Sequence, residues 1–245
     1  MTKGPTESNR RVLVTGATGG IGRAVARALH RRGARVLAQG RNEARLRELE
    51  AEGLLTVAVD LGQADGPMRL VTEAVKQLSK IDDIVQCAGI VRYEAPGSWS
   101  TESYEAQFGL NIRAPLFVIH AAIPHLSNGA AIVNIASTLA QRPAPATAVY
   151  GASKAALIAA SRALALELAP AVRVNVVAPG VIDTEMVRAP RPGARSFEEL
   201  RPQLVDLHPL HRIGTPEEVA DAVLYLLDAQ WTTGSVLTLD GGLTL

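Results

Sequence analysis

The sequence predicts a doubly wound α/β fold: a three-layer sandwich with a seven-stranded parallel sheet between helical layers. Three observations carry that prediction. Short apolar runs alternate with helical patterns along almost the whole chain. The runs are apolar nearly throughout rather than at every second residue, as strands buried on both faces require. A glycine-rich turn follows the first run and opens the first helix.

The elements follow in order. Arg11–Thr15 reads as the first strand, and Gly20–Arg32 as a helix with Ile21, Val25, Ala28 and Leu29 on one face. Gly33 ends that helix, and Arg35–Ala38 forms the second strand. Asn42 is placed to cap a charged helix running to about Glu52. Leu55–Val59, Asp83–Cys87, Ala131–Ile135, Val172–Ala178 and Val236–Leu239 supply the remaining strands. Helices are expected at about 66–79, 101–126, 148–169 and 215–228. Residues 1–10 are polar and read as a short mobile tail, which leaves 11–245 as one domain. The stretch 184–212 breaks the alternation: it carries Pro190, Pro192, Pro202 and Pro209, with a weak helical pattern near 196–207. Its place after the sixth strand suits a lid over the carboxyl edge of the sheet.

Composition excludes several classes of function. The 245 residues are 47% hydrophobic and 20% charged, which suits a large core and not a disordered chain. A net charge of +1 gives no global field for nucleic acid or a membrane surface. No apolar stretch reads as a membrane span and the N-terminus has no secretory pattern. Cys87 is the only cysteine, so no internal disulfide forms, and a reducing, cytoplasmic setting is expected. Burial as a small hydrophobe is the favoured reading of Cys87. The histidines at 30, 120, 125, 208 and 211 have no metal-site spacing, so no metal is expected.

The turn Thr15–Gly22 reads TGATGGIG. Glycine permits a tight turn and a close backbone approach to a pyrophosphate, while the helix start offers free N–H groups and the positive end of its dipole. This is the context that a Rossmann-type dinucleotide turn requires, and an ordinary strand–helix turn or a methyltransferase shares the pattern. A second constellation narrows the choice. Tyr150 and Lys154 lie four apart, one turn along the same helix face. Ser137 stands thirteen residues before Tyr150, just past the fifth strand. Asn111 sits inside a helix, where its propensity is poor and a reason is needed.

The chemistry of that set can be argued directly. Hydride transfer to a carbonyl builds negative charge on oxygen, which needs a hydrogen-bond donor and then a proton. Ser137 can hold the oxygen and Tyr150 can give or take the proton. A free phenol ionises near a pKa of about 10, so a neighbouring cation such as Lys154 is needed to bring it down.

Together TGATGGIG, Asn111, Ser137, Tyr150 and Lys154 resemble the classical short-chain dehydrogenase/reductase family over about residues 10–245. Asp60, Ala88-Gly89, Pro179-Gly180 with Thr184, RIGTPEEVADAVLYLL and the terminal Asp-Gly-Gly match as well. The subgroup it is most similar to contains the 3-oxoacyl-[acyl-carrier-protein] reductases. The resemblance implies catalysis by Asn111, Ser137, Tyr150 and Lys154, with Lys154 on the nicotinamide ribose and Asn111 supporting a water relay. It implies a cofactor held by Gly16, Thr18, Gly20, Ile21, Gly22, Arg41, Asn42, Asp60, Leu61, Ala88, Gly89, Tyr150, Lys154, Pro179, Gly180, Ile182 and Thr184. One departure stands out: Gln86-Cys87 replaces the family's paired asparagines, which weakens any strand-tying contact carried over.

The cofactor expected is NADP rather than NAD. An NAD site has an acid about 20 residues past the glycines. Here Gln39-Gly40-Arg41 stands there, and Arg41 suits a 2′-phosphate, with Thr18 and Asn42 as helpers. The substrate expected is a small carbonyl or alcohol. A 3-oxoacyl thioester comes first and a sugar or polyol second. A dinucleotide sensor without catalysis would lack the Tyr/Lys pair, and an epimerase would need more chain after Pro179. Arg92, Arg142, Arg188, Arg191, Arg195 and Arg212 fall where a substrate mouth is expected, suiting either an anionic substrate or a solvated lid. A homotetramer is expected from the alanine face of helix 148–169 (Ala155, Ala156, Ala159, Ala160, Ala163) and the apolar C-terminal segment from Val236.

Overall fold

Seven parallel strands form one sheet in the order β3-β2-β1-β4-β5-β6-β7 in a computed structural model, which describes residues 9–188 and 196–245. The strands are β1 Arg11–Thr15, β2 Arg35–Gly40, β3 Leu55–Ala58, β4 Ile81–Gln86, β5 Leu126–Ile135, β6 Val172–Pro179 and β7 Val236–Leu239. β4 and β6 are buried along their whole length and β5 from Ala130 onward, which is why apolar residues dominate there and why the polar ones, such as Asp83, Asn134 and Arg173, need partners. The strand order reverses between β1 and β4, so a crevice opens there at the carboxyl edge.

The helices are α1 Gly20–Arg31, α2 Glu43–Ala51, α3 Gly66–Leu78, α4 Thr101–Phe108, α5 Ala114–Ala122, α6 Ala148–Leu168, α7 Glu185–Arg188, α8 Phe197–Asp206 and α9 Pro216–Asp228. One face of the sheet packs against α1 and α9 through Val12, Val14, Val36 and Val133. The other face packs Leu13, Ile84, Ile132 and Val174 against α3 and α5. Asn42 caps α2 as expected, its side chain accepting from the Arg45 N–H at 3.1 Å. No helix is long and apolar enough to cross a membrane among the described residues.

The structure refines two expectations and corrects a third. The helix expected over 101–126 runs without a break from Thr101 to His125, but not as a uniform α-helix. α4 passes into a π turn at Gly109–Arg113, then α5, then a 3-10 turn at Ile123–His125, and β5 already begins at Leu126. The helical pattern expected near 196–207 is α8, which Ser196 opens with a capping box to Glu199, and the short α7 is an addition to the 184–212 segment. Pro190, Arg191, Pro192 and Arg195 lie outside the described residues, as do residues 1–8 of the expected tail.

Arg10 is the correction, because it is anchored rather than part of a tail. Its guanidinium donates to Asp83 at 2.5 Å and Asp228 at 3.2 Å. Asp83 is fully buried on β4 and also accepts from the Ala131 N–H. Burial pushes its carboxyl up to about 7, against the pull of Arg10. Arg173 sits beside this pair and donates to the carbonyls of Leu226, Leu227 and Ala229, closing the end of α9. Removing one member of a buried pair strands the other. Arg10→Met is therefore expected to cost about 3 kcal/mol in urea unfolding at fixed protein concentration, and Arg10→Met with Asp83→Leu to recover most of that loss.

Candidate active site

The glycine turn is built by close approach. Gly16 has φ +65°, and a Cβ there would lie 2.6 Å from the Ala88 nitrogen. A Cβ on Gly22 would come within 2.3 Å of the Gly16 oxygen. Gln39 sits buried beneath the turn, accepting from the Gly16 N–H at 2.9 Å and donating to the Val59 carbonyl at 2.6 Å. The position where an NAD site would carry its acid is thus used to join β1, β2 and β3.

A groove of about 270 Å³ runs across this turn. Gly16, Thr18, Gly20, Ile21, Gly22, Arg41, Asn42, Asp60, Leu61, Ala88, Gly89 and Thr184 all line it, as the sequence reading expects. Asp60 accepts from the Gly62 N–H and lies 3.8 Å from Arg41, whose side chain is 63% exposed. Asn42 has its oxygen committed to the helix cap, so only its amide nitrogen is free of that duty. The fit to a dinucleotide is physical: a cradle that a Cβ would fill at Gly16 and Gly22, facing the start of α1.

Arg45 also lines the groove, and the sequence reading missed it. It donates to the Thr18 carbonyl at 2.7 Å and pairs with Glu185 at 2.9 Å. The signal was a cation in the first turn of a helix, where the dipole disfavours it unless an anion is near.

The second half of the site sits at the ends of β4, β5 and β6. A cavity of about 500 Å³ is lined by Ser137, Tyr150 and Lys154 together with Pro179, Gly180 and Ile182. Tyr150 and Lys154 are both buried on α6, and the Lys154 nitrogen lies 5.9 Å from the Tyr150 ring centre. The Lys154 ammonium donates to the Ile135 carbonyl at 2.8 Å, and burial pulls its pKa down to about 8. Burial pushes the Tyr150 phenol up to about 12, while a hydrogen bond from Ser137 pulls the other way. Ser137 Oγ accepts from the Leu139 N–H at 3.1 Å, so its hydroxyl proton is the one turned toward Tyr150. A Cβ on Gly151 would lie 2.8 Å from the Leu139 carbonyl, so glycine lets the loop after β5 settle on α6.

Asn111 lies in the π turn, fully buried. Its oxygen accepts from the Ile90 N–H, and its amide donates to the Ile90 carbonyl and to Ser153 Oγ, all at 2.9–3.0 Å. Ser153 in turn donates to the Tyr150 carbonyl at 2.7 Å. The unfavourable helical asparagine therefore holds the loop after β4 against α6, and a π turn at such a place is a common functional device.

Gln86 keeps the strand-tying role that its departure from the family pattern put in doubt. It donates to Asn134 on β5 at 3.2 Å and to the Pro115 carbonyl at 3.1 Å. Asn134 donates to Ser161 on α6. Cys87 lies between the groove and the cavity, and burial pushes its thiol up to about 12, as suits a small packed residue and not a reactive thiol. Arg92 and Arg212 do not line the cavity, and Arg188 and Arg212 are paired with Asp183 and Glu218. No cluster of metal-ligating side chains occurs among the described residues.

This fold and site define a nicotinamide-dependent oxidoreductase with a tyrosine–lysine pair. The family model described as Enoyl-(Acyl carrier protein) reductase matches residues 16–244. A putative ketoacyl reductase of granaticin polyketide synthesis from Streptomyces violaceoruber is 36% identical, with 94% of each chain covered. The L-xylulose reductase of Bos taurus is 36% identical, with 96% of each covered. A blue fluorescent protein from a metagenomic library, solved with NADPH, superimposes with a TM-score of 0.89 at 31% identity, covering 98% of this chain and 100% of that one. The chain belongs to the classical short-chain dehydrogenase/reductase family and is an NAD(P)-dependent oxidoreductase of it.

Gly16→Ala is expected to abolish NADPH binding, read by the fluorescence of the bound nucleotide, because the new Cβ meets the Ala88 backbone and the turn must open. A folded variant, checked by circular dichroism, that still binds NADPH with unchanged affinity would contradict this account of the turn.

Proposed function

We propose that the protein is an NADP(H)-dependent carbonyl reductase whose substrate resembles a 3-oxoacyl thioester, the single observation behind it being Ser137, Tyr150 and Lys154 around one cavity beside the glycine groove. The cofactor, when bound, supplies or accepts the hydride. Ser137 turns its hydroxyl proton, which faces Tyr150 without substrate, onto the substrate oxygen and holds it as charge builds. Tyr150 delivers the proton to that oxygen in reduction and removes it in oxidation. Lys154 places a buried ammonium beside the phenol and favours its ionised form. Asn111 has its side chain fully engaged, so we assign it as a positioning residue that keeps Tyr150 and the loop of Gly89 in register. Gly180 and Thr184 carry the chain from β6 over the site, and α8 forms a lid above it.

NADP is favoured by the groove itself: Arg41 and Arg45 line it after β2, and no acid stands at Gln39-Gly40-Arg41, where an NAD site carries one. The solved relative with NADPH supports the same reading. Arg41→Ala is expected to raise the KM for NADPH roughly tenfold and that for NADH little, since one charge-assisted contact is worth about a factor of ten. A wild type that turns over with NADH alone would refute the preference.

We also infer a homotetramer in a cytoplasmic setting. Ala155, Ala159 and Ala163 are exposed on α6 rather than packed against the protein's own sheet, and Leu166 on the same helix is 82% exposed. Leu245 is fully exposed at the end of the C-terminal segment. Light scattering is expected to give about four times the 25.9 kDa chain mass; a monomer mass would refute it.

Tyr150→Phe tests the function itself. It is expected to lower turnover by about 10²–10⁴-fold in ketone reduction with NADPH while NADPH binding is retained. A variant that keeps most of its activity overturns the assignment.

A further inference from the structure

The cavity beside Tyr150 has a chemistry of its own. Beyond the catalytic residues its walls are mostly apolar, with Val91, Leu139, Val187, Leu204 and Leu243 among them and Met186 at the side of the groove. The threonine hydroxyls that face this region are already used, and Tyr93 and Gln203 are the other polar side chains of the lining apart from the catalytic ones and Arg142. Thr138 donates to the Pro179 carbonyl, Thr147 to the Ala144 carbonyl at 2.6 Å, and Thr184 to the Ile182 carbonyl. A polyol buried here would leave most of its hydroxyls without partners, each costing the loss of its hydrogen bonds to water. The walls favour an apolar body.

The charges are just as uneven. Among the described residues lining the cavity, the charged side chains are Lys154 and Arg142, and none is a carboxylate. Lys154 is committed to the Ile135 carbonyl deep in the site. Arg142 is exposed, in the loop between Ser137 and α6, with its backbone N–H fixed on the Thr138 carbonyl at 2.8 Å. Its guanidinium has no hydrogen-bond or ion-pair partner among the described residues, unlike those of Arg188 and Arg212. A guanidinium with no partner among the described residues, at the wall of a mostly apolar cavity, suits bidentate binding of a carboxylate or phosphate.

We propose that this site takes an apolar ketone carrying an anionic group at its outer end, and that Arg142 reads that anion. This rests on the carbonyl-reductase reading above and narrows it toward acyl-type and away from sugar-type substrates. Ketone reduction is balanced within it: hydride and proton add to the C=O, and the nucleotide is oxidised.

The test uses two matched pairs with NADPH and the full chain. One pair is a 3-oxoacyl group as its coenzyme A thioester and as the neutral N-acetylcysteamine thioester. The other is a medium-chain keto acid and its methyl ester. Arg142→Gln is expected to raise the KM of at least one anionic member about tenfold, with kcat and both neutral members within about twofold, a pattern of lost uniform binding. Arg142→Lys is expected to restore part of the loss. The pair affected tells phosphate from carboxylate. Equal effects on charged and neutral members, or no effect on any, overturn the role of Arg142. A wild type that prefers L-xylulose to all four ketones overturns the apolar class while leaving the reductase reading intact. If no carbonyl of either kind is reduced, it is the reductase reading that fails.

Discussion

Burying an ammonium and a phenol on α6 beside the sheet edge is the constraint on which the site depends. Lys154 is only 4% exposed, and such a group must find a fixed acceptor or be neutralised. It finds the Ile135 carbonyl at the end of β5, which sets the height of α6 against the sheet. Two further polar lines hold the same helix. Ser153 joins Asn111 to the Tyr150 carbonyl, and Ser161 joins Asn134 and so Gln86. Each of these buried groups would cost free energy without its partner, so a shift of α6 breaks several at once. Tyr150 is thereby held beside Ser137 without relying on either of them for fold stability.

The cofactor side depends on backbone proximity instead. Gly16, Gly22 and Gly40 leave the room in which Ala88, the Gly16 carbonyl and Thr18 sit. Gln39 fills the space below the turn. The lid enters the same arrangement through Thr184, whose methyl would meet a Cβ on Gly20 at 2.7 Å, and Glu185, which pairs with Arg45. The two halves of the site meet at Gly89, where a Cβ would lie 3.1 Å from Asn111 and 3.3 Å from Lys154.

Much of this was legible in the sequence because it is local. Strand β1, the glycine turn and the start of α1 announce one another within a dozen residues, and the four-residue spacing of Tyr150 and Lys154 sets them on one face. What was not legible depends on distant partners. Arg10 read as tail because Asp83 and Asp228 lie far along the chain. The π turn around Asn111 differs from an α-helix by one residue in its hydrogen bonding, and periodicity does not resolve that. Gln86 looked like a loss because its partners, Asn134 and the Pro115 carbonyl, belong to other elements. Arg142 was one of six arginines near the mouth, and only packing shows that it lines the cavity.

The central claim is that Lys154 and the oxidised nucleotide together make Tyr150 an acid–base group. The direct measurement is the ultraviolet tyrosinate signal of the wild type minus that of Tyr150→Phe, titrated upward in pH with and without NADP⁺. Without nucleotide the buried phenol resists ionisation toward about 12. The account predicts that NADP⁺ moves the Tyr150 signal to lower pH, and that Lys154→Met reduces the movement. A Tyr150 signal at the same pH in all three conditions would contradict it.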